Sequence, residues 1–196
     1  MEALATQGHI KHRRGEAGAA EWFARAAAVL RRQLGDPTAE LGSRPGWMCC
    51  EMLLDELEVA HAAGEDADQL QERVEELSRR LKGARAFHQK SHVARVSRGL
   101  DQLGFGRLAA ICERGGLQPP WASRPAADLA YEELSAAIRT FRDNQHGWML
   151  PLALLERAKL QGDLVEAAVN LEEARALALA MGLGAVLRRV GGGKLS

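Results

Sequence analysis

The sequence predicts an all-α protein built from antiparallel helical hairpins, about seven or eight helices stacked as a short solenoid. Three observations carry this expectation. Aromatic residues make up only 5% of the 196 positions, alanine and leucine abound, and β-branched residues are sparse, so a sheet would lack its usual material. Apolar residues recur at spacings of three and four along most of the chain, the signature of helices with one buried face. Glycine followed by an acid punctuates these stretches at Gly15-Glu16, Gly64-Glu65-Asp66 and Gly162-Asp163, where glycine can end one helix and the acid can cap the next.

Composition sets the frame. With 46% hydrophobic and 27% charged residues, the chain is expected to form one helical domain over residues 15–190, between a flexible arm at 1–14 and a flexible tail at 191–196. No segment approaches the roughly 18–20 uninterrupted apolar residues that cross a bilayer, and no apolar core follows Lys11, Arg13 and Arg14, so a cytoplasmic protein without membrane contact is expected. Cys49, Cys50 and Cys112 form no CxxC pair and are odd in number. They read as small buried apolar residues in a reducing compartment.

The first helix, Ala17 to Leu34, places Ala20, Phe23, Ala27 and Leu30 on one stripe. Gly35-Asp36-Pro37 stops it, and a loop runs to Pro45. Trp47 to Ala62 and Asp66 to Lys82 form a hairpin broken at Gly64. In its second arm Leu70, Val74, Leu77 and Leu81 follow a heptad seam, while Glu72-Glu76, Glu75-Arg79 and Glu76-Arg80 mark a solvated face. Ser91 to Leu103 carries Val93, Val96, Leu100 and Leu103 inward, and Gly104-Phe105-Gly106 is expected to break or bend the helix before Arg107 to Arg114.

Gly115 to Pro125, with Pro119, Pro120 and Trp121, is the longest irregular insert in the body. Trp121 has two readings, a contact for a partner or a lid on the core, and the lid is the commoner use of a loop tryptophan. Asp128 is expected to cap the next helix, which turns Ala130, Leu134, Ala137, Ile138 and Phe141 inward. A helix from Trp148 to Leu160 follows. The tripeptides Gly46-Trp47-Met48 and Gly147-Trp148-Met149 match, and Leu53-Leu54 with Glu56 parallels Leu154-Leu155 with Glu156, as if two hairpins were diverged copies.

The last long helix is the most telling. After Gln161-Gly162, Asp163 caps it with Glu166 placed to reach back, and Leu164, Ala167, Ala168, Leu171, Ala174, Ala178 and Met181 recur at helical spacing until Gly182. Ala167 and Ala174, seven apart with Leu171 between them after a Gly-Asp turn, resemble the second helix of a tetratricopeptide repeat. In the preceding helix only Leu154 matches that family, since Pro151, Leu155 and Ala158 stand where other residues are usual. The likeness spans about one fifth of the chain. Separations of 49 and 98 between Gly15, Gly64 and Gly162 point to a unit nearer fifty residues than the family's thirty-four. The resemblance implies a protein or peptide partner held in a groove, with Trp47, Trp148 and Glu156 on the concave face.

Charge adds one more candidate. The net charge is zero, yet Glu51 to Glu76 holds ten acids against Arg73 alone, and Leu77 to Leu100 holds seven bases and no acid. Arg79, Arg80, Arg95 and Arg98 either form a docking patch for nucleic acid or an acidic partner, or are neutralised by the adjacent acidic helix. The second reading follows from hairpin geometry, and no motif of a nucleic-acid reader accompanies the bases. His88 and His92 lie four apart without an accompanying acid or cysteine, so hydrogen-bonded histidines are expected rather than metal ligands. The Gly191-Gly192-Gly193-Lys194 run lacks the strand and helix of a phosphate loop. No catalytic, metal or cofactor constellation stands out, and oligomeric state is not encoded in any motif.

Overall fold

The computed structural model describes Gln7 and residues 18–34, 43–90, 95–145, 148–160 and 163–192, and every regular element among these residues is helical. In chain order they are α1 (Ala19–Leu34), α2 (Ser43–Ala62), α3 (Ala67–Lys90), α4 (Arg95–Gly115), α5 (Ala126–Asp143), α6 (Leu150–Ala158), α7 (Leu164–Ala180) and α8 (Gly184–Gly192). The turns at Gly15 and Gly162 lie outside the described residues. The chain divides into two compact units, one of residues 1–92 with 111–123, the other of 93–110 with 124–196. The divide falls within α4, whose residues through Ala110 belong to the second unit and whose end belongs to the first.

In the first unit α2 packs on both α1 and α3. Phe23, Ala26 and Ala27 of α1 and Leu53, Leu54, Leu57 and Ala60 of α2 are buried, and the seam Leu70, Val74, Leu77 and Leu81 of α3 is buried as its spacing requires. The α2–α3 turn forms where expected. Gly64 takes φ +75°, a left-handed conformation that costs glycine little, and Asp66 Oδ1 accepts the Asp68 N–H at 2.9 Å. Ile111, Cys112 and Pro119 are buried, and Gly115 lies against the His61 ring.

In the second unit α5 packs on α6, α6 on α7, and α8 on α7 and α6. The expected inward set of α5, Ala130, Leu134, Ala137, Ile138 and Phe141, is buried throughout. Arg157 of α6 donates to Asn170 of α7 at 2.8 Å and to Ser135 of α5 at 3.5 Å, so one guanidinium links three helices. Arg142 of α5 adds a two-oxygen contact to Glu173 of α7 at 2.6 and 2.7 Å.

Several boundaries differ from the sequence expectation. Gly104-Phe105-Gly106 does not interrupt a helix: α4 runs unbroken, because its glycines serve close packing rather than stopping. A Cβ on Gly106 would lie 2.7 Å from Leu134 Cγ, and one on Gly99 would lie 2.6 Å from Phe141 Cε1. Gly99 and Gly106 are seven apart, as are Leu134 and Phe141, and the opposed pairing shows that α4 and α5 run antiparallel. Asp128 does not cap α5. The cap position is Pro125 with no side-chain bond, and Asp128 sits in the first turn, where its charge favours the helix N-terminus. Helix α2 begins at Ser43, with Pro45 in a first turn that leaves backbone N–H groups unbonded anyway. Helix α3 continues past Lys82 and Gly83 to Lys90, and α8 includes Gly191 and Gly192.

A charged cleft on the first unit as candidate functional site

The position of each helix fixes what meets above α2. On α3, Arg73, Glu76 and Arg80 follow spacings of three and four, so they form a stripe beside the buried leucine seam. Helix α2 contributes Glu56, carried into the interior by its neighbours Leu53 and Leu57. Helix α1 contributes Arg31 from its last turn and Ala24 from the turn nearer its start. Together they line an open cleft of about 650 Å³, with Glu72, Glu75 and Arg79 completing its rim.

Within this cleft the charges alternate along a continuous chain. Arg73 donates to Glu65 Oε2 at 2.7 Å, and its Nη1 lies 3.0 Å from Glu56 Oε1. Arg31 Nη2 meets the other oxygen of Glu56 at 3.4 Å, and Arg31 Nε donates to Glu76 Oε2 at 2.7 Å. Arg80 donates from Nε and Nη2 to Glu76 Oε1 at 3.1 and 3.0 Å. Each of Glu56 and Glu76 is thus shared by two guanidinium groups. Charge-assisted bonds of this kind fix both partners.

Burial sharpens the site's electrostatics. Glu56 is 3% exposed and Arg80 2% exposed, and the Nη1 atom of Arg80 is buried without a hydrogen-bond acceptor. Burial pushes the Glu56 carboxyl above its ordinary range, because a carboxylate loses water there. Arg73 and Arg31 pull it back, and Glu76 adds a smaller upward push. The residues lining the cleft are arginine, glutamate and one alanine, without a serine, cysteine or histidine. The arrangement can therefore recognise charge of both signs at fixed positions.

The sequence-derived residues fall in several places. Arg79 is exposed at the rim and lies 3.9 Å from Glu75 of its own helix. Arg80, expected on a solvated face, is interior, because Glu76 draws it along the helix toward the core stripe. Arg98 is exposed on α4 in the second unit, and the side chain of Arg95 lies outside the described residues. The acidic helix does not neutralise Arg79 and Arg80 across the hairpin; both pair with acids of α3 itself, four residues back. Trp121 is half-buried, neither a full lid nor a free contact. Trp148 is 45% exposed just before α6, whereas Glu156 is buried and accepts from Lys159 Nζ at 3.1 Å. The Trp47 side chain and His92 are outside the described residues; His88 is half-buried with its ring edge-on to Phe87. Among the described residues no group of three or more His, Cys, Asp or Glu could hold a metal ion.

The stripe expected on α7 is divided. Ala167, Ala174 and Ala178 are buried, but Leu164, Ala168 and Met181 face solvent, and Asn170 takes an interior place. Arg157 explains this: its guanidinium needs an acceptor in the α6–α7 contact, and Asn170 supplies it.

Arg31, Glu56, Arg73 and Glu76 did not emerge from the sequence as site residues. Two local signals pointed to them: Glu56 is an acid inside the apolar run around Leu53, Leu54 and Leu57, and Arg73 is the lone base among ten acids. Compared with protein-family models, curated proteins and solved structures, the chain matches none of them.

Proposed function

We propose that the chain is a non-catalytic interaction module that holds a peptide or protein segment carrying both signs of charge in the cleft over α2. The observation that carries this reading is the alternating chain Arg73, Glu56, Arg31, Glu76 and Arg80, which lines an open cleft and is held in place by bonds between α1, α2 and α3. Fixed charges of both signs reward a partner with the complementary order and repel one with the reverse order, so they supply specificity more than raw affinity. Ala24 at the wall leaves room for a side chain of the partner.

The architecture we infer is a stack of helical hairpins of tetratricopeptide type. Support comes from the α2–α3 hairpin, from the packing of α6 on α7, and from the buried Ala167 and Ala174. Cys50 and Cys112, buried and outside any disulfide, fit a cytoplasmic setting. The nucleic-acid reading has less support, since Arg80 is committed to Glu76 and Arg79 stands beside Glu75.

A panel of peptides with mixed, acidic and basic charge, titrated against the wild type and Ala24→Trp, tests the proposal. Ala24 is exposed and makes no part of the ion-pair chain, so tryptophan there fills the cleft without dismantling it. Mixed-charge peptides should bind the wild type and lose at least about tenfold in affinity to the filled variant, with a marked salt dependence. Equal binding by both proteins, or no binding by any peptide, would refute it.

A further inference from the structure

Helix α7 shows apolar residues on its outer face as well as its inner one. One face is buried through Ala167, Asn170, Ala174 and Ala178, and the opposite face shows Val165 74% exposed, Val169 61% exposed and Leu179 59% exposed. Ala168 and Ala176 are exposed between them. Large apolar side chains exposed along one helix face mark a contact surface.

The spacing of the stripe states what covers it. Val165, Ala168, Glu172, Arg175 and Leu179 follow steps of three, four, three and four, so they share one face of the helix over about 21 Å. Glu172 and Arg175 are the only charged members. They form a loose pair at 3.9 Å with side chains 77% and 59% exposed, so both remain accessible to a partner.

We infer that this face binds a second copy of itself, antiparallel, about a twofold axis passing between Glu173 and Ala174. In that register Glu172 of each copy lies opposite Arg175 of the other, and the pair occurs twice, as a twofold axis requires. Ala168 then lies opposite Leu179, small against large, which lets the backbones approach while the leucine fills the gap. A parallel arrangement would instead set Glu172 on Glu172 and Arg175 on Arg175, like charge on like. The stripe's own charges and sizes complete one another, which is why its occupant is another copy rather than an unrelated apolar helix. One helix pair buries less than the roughly 800 Å² per partner of a standard interface, so the dimer is reversible and concentration-dependent.

Sedimentation equilibrium of the whole chain from about 10 to about 500 µM tests this, because mass action populates such a dimer across that range. Wild type should dimerise and Leu179→Glu should stay monomeric. Glu172→Arg or Arg175→Glu alone should weaken the dimer at least about tenfold, and the double swap should restore it to within about threefold, since only the swap rebuilds both cross pairs. All three positions face solvent, and far-UV circular dichroism should show each variant as helical as the wild type. A monomer throughout the range, an undiminished Leu179→Glu dimer, or a double swap no better than its parents would each overturn the inference. Binding to the stripe by a different protein, with no dimer, would do the same. Peptide binding by the cleft is read separately, so either idea can fail without the other.

Discussion

Arg31 on α1 donates from Nε to Oε2 of Glu76 on α3 at 2.7 Å, joining two helices that each pack on α2. The same carboxylate accepts from Arg80 through its other oxygen, so Glu76 is the joint on which the cleft's charges turn. It both orders the rim and compensates a buried cation.

Removing that joint should be costly. Glu76→Ala leaves the Arg80 guanidinium, 2% exposed and already short of one acceptor, without a counter-charge in the interior. The expected loss is about 3 kcal/mol, since an uncompensated buried charge costs more than the pair gained. Replacing both residues by apolar ones of similar size, Glu76→Leu with Arg80→Met, should return stability to within about 1 kcal/mol of wild type. Urea unfolding followed by circular dichroism distinguishes the two. If Glu76→Ala were as stable as the double variant, the pair would not be acting as described.

Glu56 gives the fold a pH dependence of known sign. Its folded carboxyl titrates above its ordinary value of 4.5, chiefly because burial disfavours the charge, so the folded state holds the proton more tightly than the unfolded one. Stability from this group is therefore fully present below pH 4.5 and is lost as pH rises through the folded value. Glu56→Gln cannot ionise and should lack this component. The difference in unfolding free energy between wild type and Glu56→Gln should shift in favour of the variant from pH 4.5 upward, then level off. A difference that stays constant with pH would contradict the assignment.

Gly106 is held small by Leu134. A methyl group there would stand 2.7 Å from Leu134 Cγ and 3.0 Å from the Leu134 backbone nitrogen, and backbone cannot rotate away. Alanine gains up to about 1 kcal/mol of helix propensity over glycine in a helix interior. Overpacking costs typically ~1–3 kcal/mol, and contact with backbone places this site at the upper end. Gly106→Ala should thus destabilise by about 2 kcal/mol net, measured by thermal unfolding. A stabilised variant would mean that α4 and α5 can separate freely at this crossing.

What the sequence could and could not announce follows from range. The inward face of α5 was legible because Ala130, Leu134, Ala137, Ile138 and Phe141 alternate with polar residues within one helix. The seam of α3 was legible for the same reason. Gly104-Phe105-Gly106 misled because a glycine that ends a helix and one that admits a neighbour look alike until Leu134 is in place. The cleft was hidden because its bonds join residues 45 and 25 positions apart, Arg31 with Glu76 and Arg31 with Glu56. Arg80 read as a surface base for a related reason: its i−4 partner was visible, but the burial of that pair depends on where α3 meets its neighbours.

Asp163 opens α7 and thereby the surface assigned to self-association. Its Oδ1 accepts the Val165 N–H at 2.8 Å and the Glu166 N–H at 3.4 Å, so Glu166 takes part in the cap through its backbone. Without the cap, the first turn of α7 loses acceptors for two N–H groups, and Val165, the first member of the stripe, sits in that turn. Asp163→Ala should cost about 1 kcal/mol, Asp163→Asn much less, because the amide oxygen still accepts. Thermal unfolding reads the stability, and sedimentation should show the alanine variant dimerising more weakly than the asparagine variant. Equal behaviour of the two would mean that the first turn of α7 is held by its packing alone.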